Sequence, residues 1–129
     1  MLNPVAVALE KEAAYLPLLP QVMPIHAIVE IARQHHGKIP LAVASGGTKA
    51  IIEKVLRHLG IREWFTAVVT SEDVVNQKPA PDIFLEAAHR IAVPPQFCCG
   101  YEDTDLGIQA IRAAGMKAVD VRQLLVDRK

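Results

Sequence analysis

Three short segments hold the residues that could do chemistry, and each begins where an apolar run ends. Ser45-Gly46-Gly47 follows Leu41-Ala-Val-Ala44. A hydroxyl followed by two glycines lets a side-chain O–H and backbone N–H groups converge on one small anion. Lys78 lies in Asn76-Gln-Lys-Pro-Ala-Pro-Asp-Ile-Phe84, flanked by Pro79 and Pro81. Proline fixes its own φ near about −65° and restricts the residue before it, so this lysine is held stiffly at a helix entrance, a charge aimed at an anion. The third segment, Gln96-Phe-Cys-Cys-Gly-Tyr-Glu-Asp-Thr-Asp-Leu-Gly107, closes an apolar run with Glu102 and Asp103. Mg²⁺ takes oxygen ligands, typically one or two carboxylates with phosphate and water. Taken singly, Ser45 reads equally as a turn serine, Lys78 as a solvated loop lysine, and Asp105 and Thr48 as helix caps. Taken together, hydroxyl, ammonium and carboxylate pair make a phosphate-plus-Mg²⁺ constellation.

The elements that must position these groups alternate. Apolar spacing predicts helices over 4–16, 25–36, 48–59, 82–91 and from 104 or 105 to 114. Short apolar runs predict strands over 41–44, 65–70, 97–100 and 117–121. The proline-rich stretch 17–24 reads as a linker or extended arm, and Gly37, Gly60 and Gly115 read as helix stops. Strands alternating with helices mean a parallel sheet and an α/β fold. Open sheets of this kind bind ligands at the carboxyl ends of their strands, so all three segments belong on one edge.

Ala44-Ser-Gly46, Lys78-Pro-Ala-Pro-Asp-Ile-Phe84 and Tyr101-Glu-Asp-Thr-Asp-Leu-Gly-Ile-Gln-Ala-Ile-Arg-Ala-Ala-Gly-Met116, in this order, resemble the haloacid dehalogenase superfamily of phosphotransferases. The resemblance covers residues 3–121 and runs closest to the branch of β-phosphoglucomutase and small sugar phosphatases. It implies a Rossmann-like three-layer core with a parallel sheet. It also implies that Ser45, Gly46 and Lys78 bind the phosphoryl group, and that Glu102 and Asp103 help hold Mg²⁺.

One departure is as informative as the match. The family's nucleophile is the first aspartate of an Asp-x-Asp motif on its first, central strand, whereas here no aspartate precedes Asp73. Asp103-Thr-Asp105 has the right spacing but follows the lysine motif, which is the wrong order. The resemblance therefore implies a core whose central strand is missing. Residues 1–20 would be a cap-remnant helix and linker, and 21–129 a partial core. Such a gap could be closed by direct pairing of the flanking strands, by a swapped strand from a second copy (Pro4-Val-Ala-Val-Ala-Leu9 is β-compatible), or by another chain or upstream residues. The expected function is that of a truncated phosphatase or phosphomutase of small phosphorylated metabolites such as sugar phosphates, dependent on Mg²⁺ and without turnover in this chain alone. The alternative is a non-catalytic remnant that binds phosphate or a partner, including as a strand-swapped homo-oligomer.

Composition is compatible with both. Hydrophobic residues make up 51% of the 129 and aromatics only 5%, so the core must be aliphatic. A formal net charge of zero argues against nucleic acid as a partner. No 18-residue apolar run predicts a membrane span and no signal peptide is evident, so a cytoplasmic setting is expected. Adjacent Cys98 and Cys99 read as two small buried hydrophobes. His26, His35, His36, His58 and His89 show no metal-ligand spacing, and His35-His36 fits a favourable helix C-terminus.

Overall fold

The computed structural model describes residues 5–7 and 19–123, with side chains from residue 27 onward. A five-stranded parallel sheet runs through it: β1 (Val5–Val7), β2 (Leu41–Ala44), β3 (Ala67–Val69), β4 (Cys99–Glu102) and β5 (Lys117–Asp120), in the spatial order β3-β2-β1-β4-β5. Among the described residues, the α-helices α1 (Leu19–His35), α2 (Lys49–His58), α3 (Asp82–Arg90) and α4 (Asp105–Ala113) accompany the sheet.

Side chains that alternate along the strands divide between two cores. Leu41, Val43 and Val68 join Ile28 and Ala32 of α1 and Ile52, Val55 and Leu56 of α2. Ala42, Ala44, Ala67 and Val69 join Ile83, Phe84, Ala87 and Ala88 of α3 and Ala110 and Ile111 of α4. The result is the three-layer α/β architecture expected. The small residues facing α3 and α4 let those helices lie close to the sheet. Gly100 does the same from β4, since a Cβ there would sit 2.7 Å from Ile111 Cδ1.

The centre of the sheet corrects one expectation. The position expected to be missing is filled by β1 of the same chain, which pairs in parallel with β2 (Val5↔Leu41, Val7↔Val43) and with β4 (Val5↔Cys99, Val7↔Tyr101). The helix expected over 4–16 therefore fails at Val5–Val7, and the rest of that stretch lies outside the described residues. The physical reason is pairing. Two buried strands with unsatisfied backbone N–H and C=O groups need a partner, and Val-Ala-Val is a good β sequence. Local helical spacing is a weaker preference than a ladder on both sides.

Further boundaries differ, and β3 is shorter than the strand expected over 65–70. Leu19–Pro24, expected as linker, is the start of α1. Pro20 is tolerated there because first-turn N–H groups have no intrahelical partner; residues 17 and 18 lie outside the described set. The strand expected over 97–100 is shifted, since Pro95–Phe97 forms a 3₁₀ turn and β4 begins at Cys99. Its last residue is consequently Glu102. Both cysteines are buried with no disulfide, and burial pushes their thiols up. His35 Nδ1 lies 2.8 Å from the Ile31 carbonyl oxygen, as expected at a helix end, and His36 stacks on Trp64 at 4.4 Å. Among the described residues no helix is long and apolar enough to cross a membrane.

Candidate functional site

The site assembles at the carboxyl ends of β2, β3 and β4. Ser45 follows β2 directly and is fully buried, its N–H donating to the Val69 carbonyl (2.9 Å). The chain then turns so that Gly47 N–H donates to Ser45 Oγ (3.2 Å). Gly46, at the apex, is exposed with open space around it, while Gly47 is confined by Ile52. Thr48 occupies the N-cap position of α2 with extended backbone, but its hydroxyl makes no cap hydrogen bond, which corrects the expectation of a side-chain cap. Glu72 does that work from across the sheet edge, accepting from Lys49 N–H at 3.2 Å.

The loop after β3 is tied down at both ends. Thr70 and Asp73 form a capping box around a 3₁₀ turn (Ser71–Asp73), with Thr70 N–H donating to Asp73 Oδ2 at 2.9 Å. Burial alone would raise the Asp73 carboxyl; the Thr70 N–H, Arg90 at 3.4 Å and Lys49 outweigh it and hold the pKa below the usual carboxylate value. Ser71 donates twice to the Gly47 carbonyl, through N–H (3.3 Å) and Oγ (3.0 Å). Gln77 Nε2 donates to the Ser71 carbonyl (3.1 Å). At the far end Asn76 donates from N–H and Nδ2 to Asp82 Oδ2, and the Lys78–Pro79 bond is cis. The loop that carries Lys78 is thus bonded to the glycine turn.

Lys78 points inward. Its side chain is 9% exposed and its Nζ lies 2.9 Å from Glu102 Oε2, 3.5 Å from the Ala44 carbonyl and 5.2 Å from the Phe84 ring centroid. Glu102 is fully buried, and its Oε1 accepts from Asp103 N–H at 2.9 Å. Burial pushes the Glu102 carboxyl up; the Lys78 ammonium pulls against it, and a hydrogen bond with the Asp103 side chain adds to the rise. Thr104, not Asp105, caps α4, accepting at its hydroxyl from Gly107 N–H (3.0 Å). Asp105 stands outside the site as an exposed partner of Arg122 (2.7 Å), which also binds Asp120.

Ser45, Lys78, Glu102 and Asp103 therefore lie together at one sheet edge. Ser71, Glu72, Gln77 and Phe84 were not legible as part of this site. Ser71-Glu-Asp73 reads as an ordinary turn, and Phe84 as one inward residue among several. Among the described residues no group of three or more His, Cys, Asp or Glu could hold a metal. Glu102 and Asp103 are two oxygen donors at one strand end, a set that matches Mg²⁺ in chemistry and needs phosphate or water to complete it.

The fold is a doubly wound parallel α/β sheet, and sheets of this kind take ligands at the carboxyl ends of their strands, where these residues lie. The profile of haloacid dehalogenase-like hydrolases matches residues 4–115, and the chain belongs to that family. It is 50% identical over 124 residues to the fructose-1-phosphate phosphatase YqaB of Escherichia coli, covering 95% of this chain and 65% of that protein. It is 44% identical over 85 residues to the β-phosphoglucomutase of Bacillus subtilis, covering 66% of this chain and 37% of that protein. Among solved structures it resembles CbbY from Rhodobacter sphaeroides in complex with phosphate, with a TM-score of 0.66 and 29% identity over 71% of this chain and 43% of that one. The chain thus spans less than two thirds of the length of each of these relatives.

Proposed function

We propose that this chain binds the phosphoryl group of a small phosphorylated metabolite, of the sugar phosphate type, at Ser45, Gly46 and Lys78. Glu102 and Asp103 supply oxygen donors to Mg²⁺. The observation that supports this most is the inward-turned Lys78, held against Glu102 beside the end of β2. Burying an ammonium is costly unless it is paired, and this pairing keeps the charge at the ligand-binding edge of the sheet. The Ser45 hydroxyl and the Gly46 N–H donate to phosphoryl oxygens, and Lys78 counters their charge. Mg²⁺, when bound, neutralises phosphoryl charge as a Lewis acid. The relatives named fructose-1-phosphate phosphatase and β-phosphoglucomutase support the substrate class.

Covalent phosphoryl transfer in the family starts from an Asp-x-Asp nucleophile, and no aspartate precedes Asp73 in this sequence. The proposed role of the chain by itself is therefore binding without turnover. The test is hydrolysis of p-nitrophenyl phosphate and a panel of sugar phosphates by the purified chain, with and without Mg²⁺. No turnover by a folded sample is expected. Turnover abolished by Ser45→Ala and Lys78→Ala would overturn the binding-only role and assign the chemistry to another carboxylate, Asp103 or Asp105 first. Turnover that survives both substitutions would mark a contaminant.

A further inference from the structure

Glu102 ends β4 with its carboxylate buried, and the space it fills lies under the first turn of α4. A Cβ built on Gly107 would overlap that carboxylate, and its three nearest atoms are all Glu102's. Gly107 is itself buried, the third residue of α4, with its N–H bonded to Thr104 Oγ1. Glycine inside a helix is disfavoured relative to alanine, and the φ of Gly107 is not positive, so the backbone does not require glycine here. The absent side chain is what the position uses. Glu102 cannot swing aside at little cost, because Oε2 holds Lys78 Nζ at 2.9 Å and Oε1 holds Asp103 N–H at 2.9 Å.

We propose that Gly107 is a positioning residue for the phosphate-binding lysine. The vacancy of its missing side chain seats the Glu102 carboxylate, and Glu102 seated there sets Lys78 Nζ at the strand ends. The proposal deepens the proposed function, since it concerns the same lysine, but it can be tested without any ligand.

The experiment is a thermal-denaturation cycle with the full chain. Gly107→Ala is measured in the wild type and in Lys78→Met/Glu102→Ala, a background that removes the carboxylate without leaving an ammonium buried alone. In the wild type Gly107→Ala lowers Tm by roughly 5–10 °C, the usual consequence of overpacking a close-packed site. In the pairless background that loss disappears, and Tm is unchanged or raised, because alanine then acts only as the better helix former. If that background does not fold, Glu102→Asp replaces it. Its shorter side chain retracts the carboxylate by one methylene, and Gly107→Ala must then cost less than half its wild-type loss. A second readout follows the Lys78 ¹³Cε NMR signal, which shifts in Gly107→Ala and not in Gln109→Ala, an exposed position on the same helix. An equal Tm loss in both backgrounds, or an unmoved Lys78 signal in Gly107→Ala, would overturn the proposal. Failure of inorganic phosphate to bind would count against the proposed function alone and leave this cycle readable.

Discussion

Lys78 and Glu102 show what residue types at a given spacing can and cannot reveal. Their motifs make both candidates for the proposed phosphate and Mg²⁺ site. That they meet across 2.9 Å, with Phe84 beneath the ammonium, depends on a loop path that spacing does not encode. A buried ion pair need not stabilise a fold, but breaking one leaves an uncompensated charge. Glu102→Ala is therefore expected to cost about 3–5 kcal/mol, and replacing both partners at once, as Lys78→Met/Glu102→Leu, is expected to come close to neutral. Urea denaturation of the three proteins checks this; a double variant no more stable than Glu102→Ala would count against the pair. Asp73 gives a pH dependence. Its folded pKa is depressed, so its contribution is present above the unfolded value of about 3.9 and is lost as pH falls through the folded pKa. Asp73→Asn is expected to lower stability by about 1 kcal/mol at pH 7, with the difference from wild type starting to shrink below about pH 4 and gone only below the depressed folded pKa.

At the scale of elements, helices α2, α3 and α4 and strand β2 follow from sequence pattern almost to the residue, because each has a clear stripe or an uninterrupted apolar run with a breaker at its end. β1 and β4 do not. Val5-Ala-Val7 is short and its neighbours continue a helical spacing, so only the unmet backbone groups of β2 and β4 decide its state. For β4, Phe97 looks like a strand residue, yet Pro94 and Pro95 feed a 3₁₀ turn that leaves it 44% exposed and moves the strand two residues on. Ala6→Pro removes a backbone donor from the middle of a central strand, where proline is not accommodated. It is expected to abolish cooperative unfolding or lower Tm steeply, measured by circular dichroism. A variant indistinguishable from wild type would remove β1 from the centre of the sheet.

For the molecule as a whole, the filled centre bears on assembly. A vacancy between β2 and β4 would favour strand exchange with a second copy, whereas β1 completes the ladder within one chain. The remaining edges are β3, three residues long, and β5, which begins with Lys117; short and charged edges resist pairing. A scattering mass near the 14.1 kDa of one chain is expected, and a stable dimer mass would return strand exchange to consideration. The family, and the fact that the three motifs share one sheet edge, were legible because the motifs follow three strands in one order. The seat of Glu102 under Gly107 and the bonds from Ser71 to the glycine turn were not, because they join residues whose types alone are unremarkable.

Titration of inorganic phosphate into the folded chain by calorimetry, with and without Mg²⁺, tests the phosphate site most directly, with Lys78→Ala as the comparison. Saturable binding that weakens at least about tenfold in Lys78→Ala is expected, as for the loss of a charge-assisted bond to an anion worth about 1.5–3 kcal/mol. Equal affinity in the two proteins, or no binding by a folded wild type, would contradict a phosphoryl site at Ser45, Gly46 and Lys78.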